Sequence, residues 1–152
     1  ALRQLDLLDR RDSSLCSSIF NCFMNKYQLL VKYGGTVYSD SVSKEIEKAE
    51  RFYDDYKDYN WLDAFNTTIA RLGDSAFTTD LSHIKSLQVP VYFIAGRHDW
   101  NIPGIVTEKY NYELSAPKKE FIWFEKSGHE VPEEEPDKFN ETVLRIVKEN
   151  RF

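Results

Sequence analysis

No stretch of this 152-residue chain approaches the 18 or more consecutive apolar residues that a membrane-crossing helix requires. Basic charge is in deficit. Twenty Lys and Arg stand against 25 Asp and Glu, giving a net charge of -5 and a pI near 5.3. A phosphate backbone wants a basic face, so neither nucleic acid nor a membrane is expected as a partner. Cysteine is scarce: Cys16 and Cys22 make neither a C-x-x-C pair nor part of a Cys/His cluster, which argues against zinc and against a redox dithiol. If both lie on one helix, positions six apart face largely different ways. That predicts reduced, structural thiols in a cytoplasmic protein. Ala1-Leu2-Arg3-Gln4-Leu5-Asp6 lacks the basic-then-apolar order of a signal peptide. Met is missing at position 1, and the expectation is a fragment boundary there rather than a natural start. There is no internal repeat and no low-complexity segment.

What is present suffices for a core: 41% hydrophobic residues and 14% aromatics argue against disorder. The chain changes character near residue 80. Before it the apolar period is helical. Leu15, Ile19, Phe23, Tyr27, Leu30 and Val31 share one face, with Asp12, Ser13 or Ser14 as caps and Gly34-Gly35 as the stop. A second helix is expected from Ser41 to Tyr56, its Glu45, Glu47 and Glu50 interleaved with Lys44 and Lys48 as a solvated face. A third runs from Trp61 to Leu72, capped by Asn60 and ended by Gly73.

After residue 88 the period changes. Val91 to Ala95 is a continuous apolar run, β-branched and aromatic, suited to a strand covered on both faces. Ile105 to Leu114 reads as a helix and Phe121 to Phe124 as a second strand. Pro136 opens a last helix with Phe139, Val143, Ile146 and Val147 as its buried stripe. Strand, helix, strand, helix at crossover spacing implies two parallel strands in a right-handed unit. Two parallel strands do not make a stable sheet alone, so partner strands are expected from elsewhere.

Each strand ends in a glycine-containing loop that presents one residue able to do chemistry. Gly96-Arg97-His98-Asp99 follows the first, and Ser127-Gly128-His129 follows the second. In open α/β sheets ligands bind beyond the carboxyl ends of the strands, so Asp99 and His129 would share one rim. A histidine that takes a proton from a nucleophile becomes a cation, which a carboxylate orients and stabilises. Either loop alone is more simply a turn, since Asp bonds its own backbone there. Two such loops on consecutive strands, Asp before His and 30 residues apart, make the catalytic reading the stronger one. Trp100 and Asn101 either line a pocket mouth, with Trp100 as a substrate-binding candidate, or form the turn that orients Asp99. His98 reads as a loop residue and His83 as an exposed one.

Val89-Pro90-Val91, Gly96-Arg97-His98-Asp99, Ala116-Pro117-Lys118-Lys119-Glu120, Phe124-Glu125-Lys126-Ser127-Gly128-His129 and Glu134-Glu135-Pro136-Asp137-Lys138-Phe139 carry a resemblance. They are similar to the C-terminal part of the α/β-hydrolase superfamily, in its proline-iminopeptidase-like branch. The helical front half, with Lys32-Tyr33-Gly34-Gly35 and Phe77-Thr78-Thr79-Asp80-Leu81, is less specifically similar to the cap of those enzymes. The resemblance implies a partial α/β-hydrolase fold, with residues 1–80 as helical cap and 81–152 as a C-terminal βαβα unit of the core. It implies Asp99 as the triad acid, His129 as the general base, and an ester, amide or aminoacyl-amide substrate, with no metal or organic cofactor. Glu45, Glu47, Glu50, Asp54 and Asp55 are the cap carboxylates from which a binder of a substrate amine would come, as in aminopeptidase relatives, and nothing in their spacing selects one of them. The cap aromatics, among them Phe52, Tyr53, Tyr56, Tyr59, Trp61 and Phe65, read mostly as core.

The chain departs from that family in one large respect. The nucleophile motif Gly-x-Ser-x-Gly is absent, and Gly73-Asp74-Ser75-Ala76-Phe77 imitates it poorly. A chain without nucleophile and oxyanion donors is expected to be inactive by itself. The reading from another class is a non-catalytic module in which an unpaired strand edge pairs with a second copy as a homodimer.

Overall fold

Ser18 opens the first helix, its Oγ accepting a hydrogen bond from the Asn21 amide at 3.0 Å. This is helix α1, Ile19–Lys32, in a computed structural model that describes residues 14–50, 60–73 and 75–150. Of the expected caps, Asp12 and Ser13 lie outside the described residues, and Ser14 sits with Leu15 in a preceding turn. The late start overturns the expectation of reduced thiols. Cys16 precedes the helix, so helical spacing does not govern the pair, and a disulfide joins it to Cys22 across a Cα–Cα distance of 4.7 Å. The helix stops as its glycines require. Gly34 takes φ 73°, its amide donates to the Val31 carbonyl, and the Gly35 amide donates to the Leu30 carbonyl at 2.7 Å. That pattern is a Schellman stop. Cys22 and Leu30 are buried while Phe23, Tyr27 and Val31 stay open, so the buried face is narrower than the apolar one.

Helix α2 spans Asp40–Glu50, and its expected continuation to Tyr56 lies outside the described residues. Helix α3, Trp61–Leu72, has the expected ends: Asn60 Oδ1 accepts from the Asp63 amide at 3.0 Å, and Gly73 turns at φ 58°. A short helix α4, Ser75–Thr78, follows. The chain divides into two compact units, Ala1–Leu29 with Glu47–His83, and Leu30–Ile46 with Ile84–Phe152.

The second unit holds the sheet. Strand β1, Val91–Gly96, pairs in parallel with strand β2, Lys119–Phe124, in a register running from Val91 opposite Lys119 to Gly96 opposite Phe124. Helix α5, Gly104–Glu113, connects them and packs on both. Strand β2 begins two residues earlier than its apolar run because Lys119 has a task at that end. Its ammonium donates to the carbonyls of Asn111 and Leu114 at 2.6 and 2.7 Å, closing the negative end of α5. Helix α6, Val131–Glu134, and helix α7, Pro136–Glu149, complete the unit.

Phe124 and Leu114 are fully buried, and Phe93, Phe121 and Trp123 form a chain of ring contacts at 6.2 and 5.0 Å. Two expectations of burial fail. Val91–Ala95 are half-buried, not covered on both faces, and Val143 and Val147 of the α7 stripe are exposed. The cause is the same for both: among the described residues the sheet has two strands, too narrow a surface to cover these residues. Among the described residues no helix is long and apolar enough to cross a membrane.

Candidate active site

The loops that leave β1 and β2 run beside each other. The Arg97 amide donates to the Phe124 carbonyl at 2.8 Å and the His98 amide to the Ser127 carbonyl at 2.9 Å, extending the ladder past the strands. Gly96 makes this approach feasible, because a Cβ there would collide with the Gly128 carbonyl and stand 2.5 Å from that of Ser127. Gly96→Ala is expected to cost about 1–3 kcal/mol by overpacking, read as a lower urea midpoint at unchanged slope. An unchanged midpoint would show that the two loops do not meet. Gly128 in turn lets a third segment, Gly35–Ser39, lie across the loops, since a Cβ on it would collide with the Thr36 carbonyl. The His129 amide donates to that carbonyl at 2.6 Å, and the Trp100 amide donates to the Gly35 carbonyl at 3.0 Å.

Asp99 and His129 meet on this frame. Asp99 Oδ1 accepts from the Asn101 and Ile102 amides at 2.8 and 2.9 Å, a turn in which the carboxylate is held by its own loop. Its other oxygen, Oδ2, is 2.9 Å from His129 Nδ1. The Asp99 side chain is 10% exposed and that of His129 is 36% exposed, so the carboxylate is sheltered and the imidazole reaches solvent. Among the described residues Nε2 has no hydrogen-bond partner. A carboxylate fixed by two amides, bonded to one imidazole nitrogen while the other faces outward, can orient a histidine to take and return a proton.

The other candidates are placed differently. Asn101 belongs to the turn that holds Asp99, whereas the Trp100 side chain is 64% exposed and contributes its backbone amide to the frame. His98 stacks on Tyr38 with ring centroids 4.2 Å apart, its Nε2 3.2 Å from the Glu125 carbonyl, so it is committed away from the pair. His83 is exposed, bonded to the Asp80 carbonyl. Ser75 does not stand as a nucleophile, for at the start of α4 its hydroxyl donates to the Leu72 carbonyl at the end of α3. Glu45 is exposed; the side chains of Glu47, Glu50, Asp54 and Asp55 lie outside the described ones. Of the cap aromatics, Phe65 contacts Phe20 at 6.0 Å and remains exposed, and the other five lie outside the described side chains.

Sequence reading missed two supports. Glu134 and Glu135, which the sequence offers only as part of a motif, both turn toward the histidine loop. Glu135 accepts from the Lys126 amide at 2.9 Å and from Ser127 Oγ at 2.8 Å. Glu134 bonds the Gly128 amide at 2.5 Å and the Tyr38 amide at 2.6 Å. Beside them Arg97 lies over the Trp123 ring at 3.7 Å and clamps Glu125 through two hydrogen bonds, which hold the Glu125 carboxyl below its ordinary range. Among the described residues no group of three or more His, Cys, Asp or Glu side chains comes together as a metal site.

No protein-family model matches the chain, and no solved structure matches it. The chain is similar to a curated protein of Bacillus subtilis (strain 168) named probable aminopeptidase YbaC, with 39% identity over 74 residues. The matched residues are 49% of this chain and 22% of that protein, so the chain spans well under half of its relative's length.

Proposed function

We propose that this chain is the C-terminal part of a serine-nucleophile α/β hydrolase, residues 1–80 serving as helical cap and 81–152 as the end of the core. The observation that carries the reading is the 2.9 Å pair of Asp99 and His129 beyond the carboxyl ends of two adjacent parallel strands. In this proposal His129 Nε2 removes the proton of a serine hydroxyl supplied by residues outside this chain. The serine oxygen attacks the substrate carbonyl, and the imidazolium, stabilised by Asp99, then protonates the leaving alcohol or amine. Water deprotonated by His129 hydrolyses the acyl-enzyme. The substrate is a small ester or amide, and an aminoacyl amide is favoured by the likeness to a probable aminopeptidase. No metal or organic cofactor takes part.

Fluorophosphonate labelling of the native protein, followed by intact mass and peptide mapping, tests the proposal. The expected product is a polypeptide larger than 17.9 kDa, labelled on a serine outside these 152 residues. An unlabelled species of 17.9 kDa would overturn it. The second reading would then lead, favoured by the outer edges of β1 and β2, which have no further strand beside them among the described residues. Such a species should sediment as a homodimer through one of those edges.

A further inference from the structure

We infer that Glu134 is a positioning residue for His129: its carboxylate ties the Gly35–Ser39 segment to the Gly128 amide and so sets where the imidazole stands over Asp99. The inference rests on the proposed role of the Asp99–His129 pair. Glu134 Oε1 accepts from the Tyr38 amide at 2.6 Å and from the Ser39 amide at 3.2 Å. Its Oε2 accepts from the Gly128 amide at 2.5 Å, one residue before His129. One carboxylate therefore joins the Gly128 amide to a segment whose Ser39 lies 95 residues before Glu134 in the chain. The segment it grips holds the histidine by a second route, since the Thr36 carbonyl accepts from the His129 amide. Both faces of the carboxylate meet N–H donors, and bonds from such donors to an ionised acceptor are stronger than neutral ones.

An amide at this position cannot do the same. A glutamine presents one acceptor and one donor group, so either Gly128 or Tyr38 would face an N–H across the contact whichever way the amide is turned. Glu134→Gln should therefore loosen the histidine loop while leaving Asp99 and His129 chemically intact.

The test is nitrogen-15 spectroscopy of the His129 ring in the protein and in its variants, with amide exchange measured on the same samples. In the unaltered protein His129 should hold its proton on Nδ1, facing Asp99. With E134Q that tautomer should give way to the mixture of an unconstrained imidazole, and the Gly128 and His129 amides should exchange about 10–100-fold faster. In the complete enzyme kcat should fall about 10–100-fold with KM within about twofold. Glu133→Gln, at an exposed neighbour, should leave the ring spectrum unchanged. If E134Q does not give a dispersed spectrum, Glu134→Asp, which keeps the charge but spans only one of the two segments, is read the same way. An unchanged ring spectrum in E134Q, with faster exchange at Gly128 alone, would overturn the inference and make Glu134 a loop tie only. A ring spectrum indifferent to Asp99→Asn as well would instead remove the Asp99–His129 pairing itself.

Discussion

His129→Ala in the complete, active enzyme is expected to lower kcat by about 10,000-fold or more, with KM changed little. The side chain supplies the proposed proton acceptor and, later, the acid for the leaving group, and among the described residues Nε2 is not engaged elsewhere. Asp99→Asn is the finer probe. The asparagine oxygen can still accept from the Asn101 and Ile102 amides, so the turn survives. Its amide nitrogen then faces His129 Nδ1 and presents a donor where an acceptor was, which favours the wrong tautomer. The expected fall is about 1,000–10,000-fold. Because the two residues act as a unit, the double variant should be little worse than His129→Ala alone. Steady-state kinetics on a small ester and an aminoacyl amide measure this. A His129→Ala enzyme that keeps more than about a tenth of its turnover would exclude the proton-transfer role.

The contacts that make this pair were legible because their signals are local. An apolar run that gives way to a glycine-containing loop marks where a strand stops, and both strands stop there: β1 at Gly96, β2 at Phe124. Pro136 and Gly34 mark a helix start and a helix stop through backbone geometry that needs no tertiary partner. The failures share the opposite cause. Lys119 and Glu120 join β2 through pairing with Val91 and Tyr92, and a ladder leaves no trace in hydropathy. Cys16 could be placed on or off helix α1 only by knowing that Ser18, not an earlier residue, caps it. The grip of Glu134 on Tyr38 spans 96 residues and uses backbone amides, which any residue but proline supplies. Nothing in the identity of Tyr38 or Ser39 could announce it.

Burial was misjudged for a related reason. Periodicity reports which face of an element is apolar, not whether anything covers it. Val143 and Val147 lie on the apolar face of α7 as expected and yet are open. Helix α5 is similar, with Ile105 and Val106 exposed beside the Asp99 loop. A sheet of two strands cannot reach these side chains. This incomplete cover agrees with the proposal that further strands of a hydrolase core belong beside β1 and β2.

Phe124 shows where the cover is complete, and Phe124→Ala is expected to cost about 3–5 kcal/mol of stability. It is the last residue of β2 and its side chain is 0% exposed. Its ring lies 6.5 Å from that of Phe139 on α7, and the Lys138 ammonium sits 4.3 Å above it. The same ammonium donates to the Trp123 carbonyl at 2.7 Å, so the ring, the helix and the strand end are joined at one point. Alanine would leave a cavity there and remove the cation's aromatic partner. Against a total of about 5–15 kcal/mol for an ordinary domain, that loss brings the fold close to its unfolding limit. The exposed Val143→Ala should change stability by only about 0.5 kcal/mol. Urea unfolding of the two variants separates them, with Phe124→Ala shifting the midpoint at unchanged slope. A loss below about 1 kcal/mol for Phe124→Ala would mean that the site collapses onto the missing ring, and that the strand end beneath His129 is held by its backbone bonds rather than by this core.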